Sequence, residues 1–407
     1  MQRGALNLNI FLYMLRFLRS VRKSVKRQTL HIIYYFAVQR INQRFLKFCT
    51  QCFTLILFFA GMFMLAACTS PDRTTGGAHN AATDTVTVTD AVGRTVTIPA
   101  PDDLKRIYVS TPMGLIFLYT LAPETLVGTP INLSPAVKRF LLPEMADLPN
   151  LGGYQSGARL NPEAVINADT LLLLYMIPSI PGKGDAADAD ALQSQINAPV
   201  YVMNGSIEKF AENYRVFGRI LGRKERAEEL AGYCDNVLSD VASKVSRVQA
   251  DKRTRLYYAQ GHDCLATEPE ESMHAEVFKY ANARNVADVG NTAVFGMTQV
   301  NMEQLLRWNP EVIAAQAVCY PKIMSDPDWS AISAVKNGRV YLIPDLPFSW
   351  VDRPPSVNRF LGIQWTANLL YPELYDIDIV RTAQDFYRLF YHIDVGADEI
   401  RELGTVD

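Results

Sequence analysis

One phrase occurs twice in this chain. Leu160-Asn161-Pro162-Glu163-Ala164-Val165-Ile166 leads, seven residues after its Glu, to Thr170 and an apolar run. Val300-Asn301-Met302-Glu303-Gln304-Leu305-Leu306 leads, in the same register, to Pro310 and a second apolar run. Each copy places a carboxylate in the first turn of a short helix, where the helix dipole favours negative charge. Each then enters a strand. A helix-to-strand register that recurs in two distant parts of a chain predicts two lobes of like construction.

The surrounding pattern agrees. Apolar runs at Ile107–Ser110, Leu126–Thr129, Leu171–Tyr175 and Val200–Met203 alternate with helix-like segments. The alternation restarts after Arg253 with Leu256–Ala259, Val312–Gln316 and Val340–Ile343. Such alternation predicts parallel sheets covered on both faces. Val86–Asp90 and Arg94–Ile98 each alternate apolar and polar residues about Gly93, a β-hairpin pattern. Between the halves, Ile207, Phe210, Tyr214, Phe217 and Leu221 recur at spacings of three and four, behind Ser206 as a candidate N-cap. Gly222 interrupts. A second helical pattern over Lys224–Val248 is apolar at Leu230, Cys234, Val237, Val241 and Val245. At 1.5 Å per residue it would be ~37 Å long, enough to cross a domain. A helix from near Ser356 to Leu370 and a last amphipathic helix carrying Phe386, Leu389, Phe390 and Ile393 complete the layout.

The net charge of −2 conceals a division. Residues 1–71 hold ten Lys/Arg and no Asp or Glu; the remainder holds 30 basic and 42 acidic residues, a net of −12. So acidic a body excludes nucleic acid as the expected partner. With 49% apolar and 20% charged residues, the chain is neither disordered nor a coiled coil. No charge occurs from Phe48 to Pro71. There a strongly apolar run, Phe53–Ala60, follows Arg44 and Lys47 and ends in Leu65-Ala66-Ala67-Cys68. A basic region, an apolar core and small residues at a cut are the parts of a secretory signal. The Cys after two small residues resembles a bacterial lipobox, which implies lipidation of Cys68. An uncleaved membrane anchor is the alternative; either places the body outside the cytoplasm. Met1–Phe45 exceeds what a signal needs, as an upstream start or a cytoplasmic tail would explain.

The part after Cys68 resembles the class III periplasmic binding proteins, the substrate-binding lipoproteins of ABC importers for ferric siderophores, haem and vitamin B12. The resemblance rests on Asp90-Ala91-Val92-Gly93-Arg94-Thr95-Val96-Thr97-Ile98-Pro99, Lys105-Arg106-Ile107, both Glu phrases, Asn285-Val286-Ala287-Asp288 and Ala334-Val335-Lys336-Asn337-Gly338-Arg339-Val340-Tyr341. Pro347–Ser356 is similar to a subgroup of iron-compound binders. The resemblance implies two Rossmann-like α/β lobes with central parallel sheets, bridged by a long rigid helix, with ligand in the cleft between them. The expected division is a leader over 1–67, a tether over 68–85, an N-terminal lobe over 86–205, connecting helices over 206–249 and a C-terminal lobe over 250–407. It further implies an iron chelate or similar metal complex as cargo, with haem, a corrinoid, a nickel complex or a sensor role as alternatives. The implied partners are an ABC permease and its ATPase, and the implied state is a monomer held to the membrane by lipid. Glu163 and Glu303 match the family's permease-docking carboxylates; Thr170-Leu171 departs from the usual Pro-Asp at the first strand entry. The stiff helix implies lobe motion of only a few degrees.

In open α/β sheets ligands lie beyond the carboxyl ends of the strands. That rule selects Ser110 and Thr111, where Thr111 can cap a helix beginning at Pro112 and leave N–H groups facing a ligand. It also selects Tyr175, His262, Tyr320, and the loop with Trp350, Asp352 and Arg353. Tyr154, after two glycines, is a further candidate. Arg suits an anionic chelate, and Trp or Tyr a flat macrocycle or catechol. His262, Cys264 and His274 match no structural zinc spacing, so no resident metal or cofactor is expected; a single His, His262 foremost, could serve as an outer ligand to a bound chelate. Gly-x-Ser-x-Gly, a phosphate loop and His-Glu-x-x-His are all missing from the sequence, which favours a binder over an enzyme. Beyond the leader and Cys68 remain Cys234, Cys264 and Cys319, which allow at most one internal disulfide.

Overall fold

The computed structural model describes residues 84–154, 159–289 and 297–405. The leader, the tether up to residue 83 and Cys68 lie outside the described residues. Among the described residues no helix is long and apolar enough to cross a membrane.

A hairpin of β1 (Thr85–Thr89) and β2 (Thr95–Pro99) opens the chain, with Thr87 opposite Thr97. Asp90 closes it: its carboxylate accepts from the Arg94 backbone N–H at 2.8 Å and pairs with the Arg94 guanidinium at 3.1 Å. Behind it stands a parallel sheet in the order β3 (Ile107–Val109), β4 (Leu172–Ile177), β5 (Val200–Asn204). Every residue of β3 and β4 is buried, as their unbroken apolar runs require. The run Leu126–Thr129 forms no strand; it makes single parallel bridges, Ile107 to Leu126 and Thr129 to Asn150. Too little of it lies alongside a partner to build a ladder.

The second half repeats the scheme. Its parallel sheet has the order β11 (Val340–Leu342), β10 (Val312–Ala315), β6 (Arg255–Ala259), β8 (Arg284–Asn285). A short antiparallel pair, β7 (Ala266–Thr267) with β9 (Thr298–Gln299), flanks it. The architecture is thus two α/β lobes.

Helix α1 (Pro112–Leu121) follows β3, α2 (Pro162–Asn167) carries the first Glu phrase, and α3 (Lys183–Ile196) leads to β5. Then come α4 (Phe210–Ile220) and α5 (Lys224–Val245). Ser206 precedes a short turn rather than capping α4 directly; its hydroxyl donates to Asn204 Oδ1 at 2.7 Å. Helix α5 ends three residues short of Val248. In the second lobe α6 (Met302–Trp308) carries the second Glu phrase, and α7 (Asn358–Leu370) is buried on nearly every side. The final helix α8 (Ile379–Phe386) runs into a π-helical turn, Tyr387–Tyr391.

The largest apolar core belongs to both lobes. It runs from Val96, Ile107 and Phe117 through α4 and α5 (Phe210, Tyr214, Leu230, Cys234, Val241) to Phe360, Trp365 and Phe390. Phe117 stacks on Tyr214 at 4.7 Å, and Phe210 meets Phe360 edge-on at 5.7 Å. The C-terminal segment reaches back to the first lobe: the Tyr119 hydroxyl donates to the Tyr391 carbonyl at 2.8 Å. Continuous packing of this kind resists wide lobe separation, because a packed interior has little slack to absorb a hinge.

Candidate functional site

At the carboxyl ends of both parallel sheets lies a cleft of about 420 Å³. The first lobe gives it Thr111, Pro112, Met113, Ile131, Tyr154, Met176 and Pro178; the second gives His274, Arg353, Pro354 and Pro355. Thr111 is the N-cap of α1, in extended conformation, with Pro112 at the first helical position. Its hydroxyl accepts from the Gly114 N–H at 3.2 Å and donates to the Met176 carbonyl at 3.1 Å. Among the described residues no hydrogen bond uses the Met113 N–H, so α1 presents its positive end to the cleft with one donor open. Tyr154 is held by its own N–H, which donates to the Ser110 carbonyl at 2.8 Å, and by edge-on contact with Tyr175 at 5.3 Å. Burial and the neighbouring Asp188 carboxylate push the Tyr154 phenol above its ordinary pKa.

The second lobe's contribution is built on two buried carboxylates, Asp352 and Glu268, each 1% exposed. Asp352 receives His274 Nδ1 at 2.9 Å. Glu268 accepts from Arg353 Nη2 and from the Ser272 hydroxyl, both at 2.8 Å. Ser272 in turn accepts from the His274 backbone N–H at 3.2 Å, and Arg353 Nε lies 3.4 Å from Asp352. The carboxylates therefore stand behind and the donors stand forward. Arg353 takes a left-handed φ of 61°, uncommon for a side-chain-bearing residue, which sets where its guanidinium lies. His274 Nε2 is buried and has no hydrogen-bond partner among the described residues. A buried polar atom left open is costly unless something binds it. With Nδ1–H donated to Asp352, Nε2 offers a lone pair when the ring is neutral and an N–H when the ring is an imidazolium.

Of the residues expected at the ligand, the structure brings Thr111, Tyr154 and Arg353 into this cleft. Asp352 does not line it but positions His274. Ser110 is fully buried, its hydroxyl 3.4 Å from the Leu174 carbonyl. Tyr175 is buried behind Tyr154. Trp350 is buried in the core, where its indole N–H donates to the Tyr387 hydroxyl at 3.1 Å. Tyr320 starts a helix packed on the second lobe's own small core. His262 is exposed on the loop after β6 and does not line the cleft. The histidine that does is His274. Nothing in the local sequence singles it out, since the carboxylate that holds it, Asp352, lies 78 residues away. No group of three or more His, Cys, Asp or Glu suited to a metal ion occurs among the described residues.

A larger cavity, about 630 Å³, lies on the second lobe between Arg255, Arg284, Arg307 and Trp308. It belongs to one lobe only. Two of its arginines already face carboxylates, Arg255 with Glu311 at 3.7 Å and Arg307 with Glu303 at 3.6 Å. The interlobe cleft is the better site, since it combines open donors from both lobes.

Glu163 and Glu303 occupy matched places. Each lies in the first turn of its helix behind an Asn N-cap, Asn161 accepting from the Ala164 N–H at 3.2 Å and Asn301 from the Gln304 N–H at 2.8 Å. Each is exposed and has an exposed apolar residue three positions on, Ile166 (45%) and Leu306 (42%).

Two such lobes around a donor-lined cleft are an arrangement suited to holding a solute, and comparison with known proteins points the same way. Residues 158–346 match the family model described as periplasmic binding protein. The fold is similar to an ABC transporter solute binding protein from Sulfurospirillum deleyianum, at 29% identity and a TM-score of 0.72, covering 78% of this chain and 98% of that one. A search of curated proteins finds the molybdate-binding protein MolA of Haemophilus influenzae, 26% identical over 76% of this chain and 92% of that protein. The structure of MolA bound to molybdate matches with a TM-score of 0.62. Over residues 158–346 the chain thus carries the pattern of the periplasmic binding proteins, and its fold is similar to those of ABC transporter solute-binding proteins.

Proposed function

We propose that this protein delivers a compact anion of the molybdate class to an ABC importer, holding it between the two lobes. The observation that carries this reading is the convergence of three donors on one cleft: the open N-terminus of α1, the Arg353 guanidinium and His274 Nε2. Two buried carboxylates neutralise the cationic side chains, so the cleft selects by the direction of its hydrogen bonds more than by net charge. His274 presents its Nε2 edge to the anion, the ring held in place by Asp352 at Nδ1. The similarity to MolA supports the same class of cargo. Lipidation at Cys68 would keep the protein at the membrane, and Glu163 and Glu303 would seat it on the permease.

A second reading, an anionic metal chelate such as a ferric siderophore, is favoured by the apolar wall of Met113, Ile131, Met176, Pro178, Pro354 and Pro355, which a bare oxyanion leaves uncovered. Here neutral His274 would complete the coordination of the chelated metal through Nε2. Calorimetric titration of the chain beyond Cys68 with molybdate, tungstate, sulfate, ferric siderophores and nickel–histidine separates the two. Micromolar or tighter binding of molybdate and tungstate supports the first. Saturation by a chelate, with no heat from molybdate, replaces it with the second.

A further inference from the structure

We propose that Cys264 and Cys319 form a disulfide that staples the exit loop of β6 to that of β10 in the second lobe. The two residues are 55 positions apart in sequence, and both are fully buried. Cys264 Sγ lies 3.5 Å from the Cys319 carbonyl, and Cys319 Sγ lies 2.9 Å from the carbonyl of Gly261, three residues before Cys264. Each side chain thus already faces the other's segment. The β6 exit loop is held in a tight turn, Gly261 at φ 75° and Cys264 at φ 65°, pinned by the Tyr257 hydroxyl donating to the Cys264 carbonyl at 3.0 Å. A turn fixed in this way keeps Cys264 in place; in this structure both cysteines are free thiols.

The chemistry balances as thiol–disulfide exchange. Cys264 and Cys319 lose one proton and one electron each and form an S–S bond. A disulfide-bonded oxidant, such as a thiol oxidase outside the cytoplasm or oxidised glutathione, takes up both and leaves as two thiols. Burial pushes both thiols above their ordinary pKa, so in the folded protein they are poor thiolates. The bond therefore forms as the exported chain folds, and once formed is shielded from exchange. Cys234, buried on the apolar face of α5, stays out of the pairing.

The test follows individual cysteines in the full chain exported to an oxidising compartment. Free thiols are alkylated in denaturant, the protein is reduced, a second reagent is added and peptides are mapped. The expected result is the second label on Cys264 and Cys319 and the first on Cys234. The first label on both Cys264 and Cys319, or a small thiol attached to either, overturns the proposal. Reduction should also lower the Tm by on the order of 10 °C, as expected for closing a loop of this length, and should leave a C264S/C319S variant unmoved. An equal fall in that variant would count against the staple.

Discussion

Arg359 on α7 donates through Nη2 to the backbone carbonyl of Gly205, just past β5 in the other lobe, at 2.7 Å. Through Nη1 it pairs with Glu276 at 2.8 Å, and its guanidinium lies over the Phe210 ring at 5.5 Å. The side chain is 1% exposed. One buried cation thus ties a strand end, a core aromatic and a carboxylate across the lobe boundary. Removing one partner of such a pair leaves the other charge uncompensated, which costs about 3–5 kcal/mol. Arg359→Met should therefore lower the unfolding free energy in urea by that amount, with loss of the Gly205 contact included. A loss below about 1 kcal/mol, the scale of a surface pair, would show that the tie is incidental.

Glu276 gives this tie a pH signature. Burial raises its carboxyl above the ordinary value, outweighing the opposing pull of Arg359. A group whose pKa is raised by folding binds its proton more tightly in the native state. Its contribution is fully present below the ordinary Glu value and is lost as pH rises through the raised one. Glu276→Gln cannot titrate, so thermal melts across the acid range should show the wild type gaining on the variant as pH falls. Parallel curves would mean that Glu276 is solvated as an ordinary carboxylate.

Gly362 tests the packing of α7 against the loop that supports the cleft. A Cβ built there would lie 1.9 Å from the Trp350 carbonyl oxygen, a backbone atom with no rotamer to move. Gly362→Ala should cost at least the ~1–3 kcal/mol of an overpacked core, despite the better helix propensity of Ala. It should also weaken ligand binding, since Asp352 and Arg353 follow Trp350 directly. Calorimetry of folding and of binding on the same variant reads both; a stabilised variant would contradict the contact.

The lobes, the long helix and the paired Glu helices were legible because each is a local pattern: period two, period 3.6, or an Asn cap followed by Glu. Thr111 was legible for the same reason, as a cap before Pro112. The ligand residues were less so. Trp350 reads as a pocket aromatic until Tyr387, far along the chain, takes its indole N–H. His274 reads as a spare histidine until Asp352, 78 residues later, takes Nδ1. His262 and His274 cannot be ranked by spacing, because what separates them is which one a distant carboxylate holds.

Arg353 and His274 divide the proposed binding between them. A hydrogen bond to a charged group contributes about 1.5–3 kcal/mol, so Arg353→Gln should weaken molybdate binding roughly 10–100-fold. Asp352→Asn should act through His274. An amide in place of the carboxylate no longer holds the ring through a charge-assisted hydrogen bond, so anion affinity should fall severalfold. Calorimetric titration of wild type and variant with molybdate checks this. Unchanged affinity would show that Asp352 does not position His274 for the ligand.

The proposed docking on a permease calls for two separated anchors, and Glu163 and Glu303 are the residues proposed for it. Both are exposed, and the pair of Glu303 with Arg307 at 3.6 Å is a surface contact of at most about 1 kcal/mol that a partner's cation can replace. Neither residue lines the cleft. The double variant Glu163→Ala, Glu303→Ala should therefore bind molybdate as tightly as the wild type while uptake driven by the cognate permease falls roughly tenfold or more, the loss of two charge-assisted contacts. Each single variant should lose part of that effect, because the other lobe still anchors the body. Uptake at the wild-type rate in the double variant would show that the permease reads another surface, and the exposed Ile166 and Leu306 beside the two carboxylates would be the next positions to change.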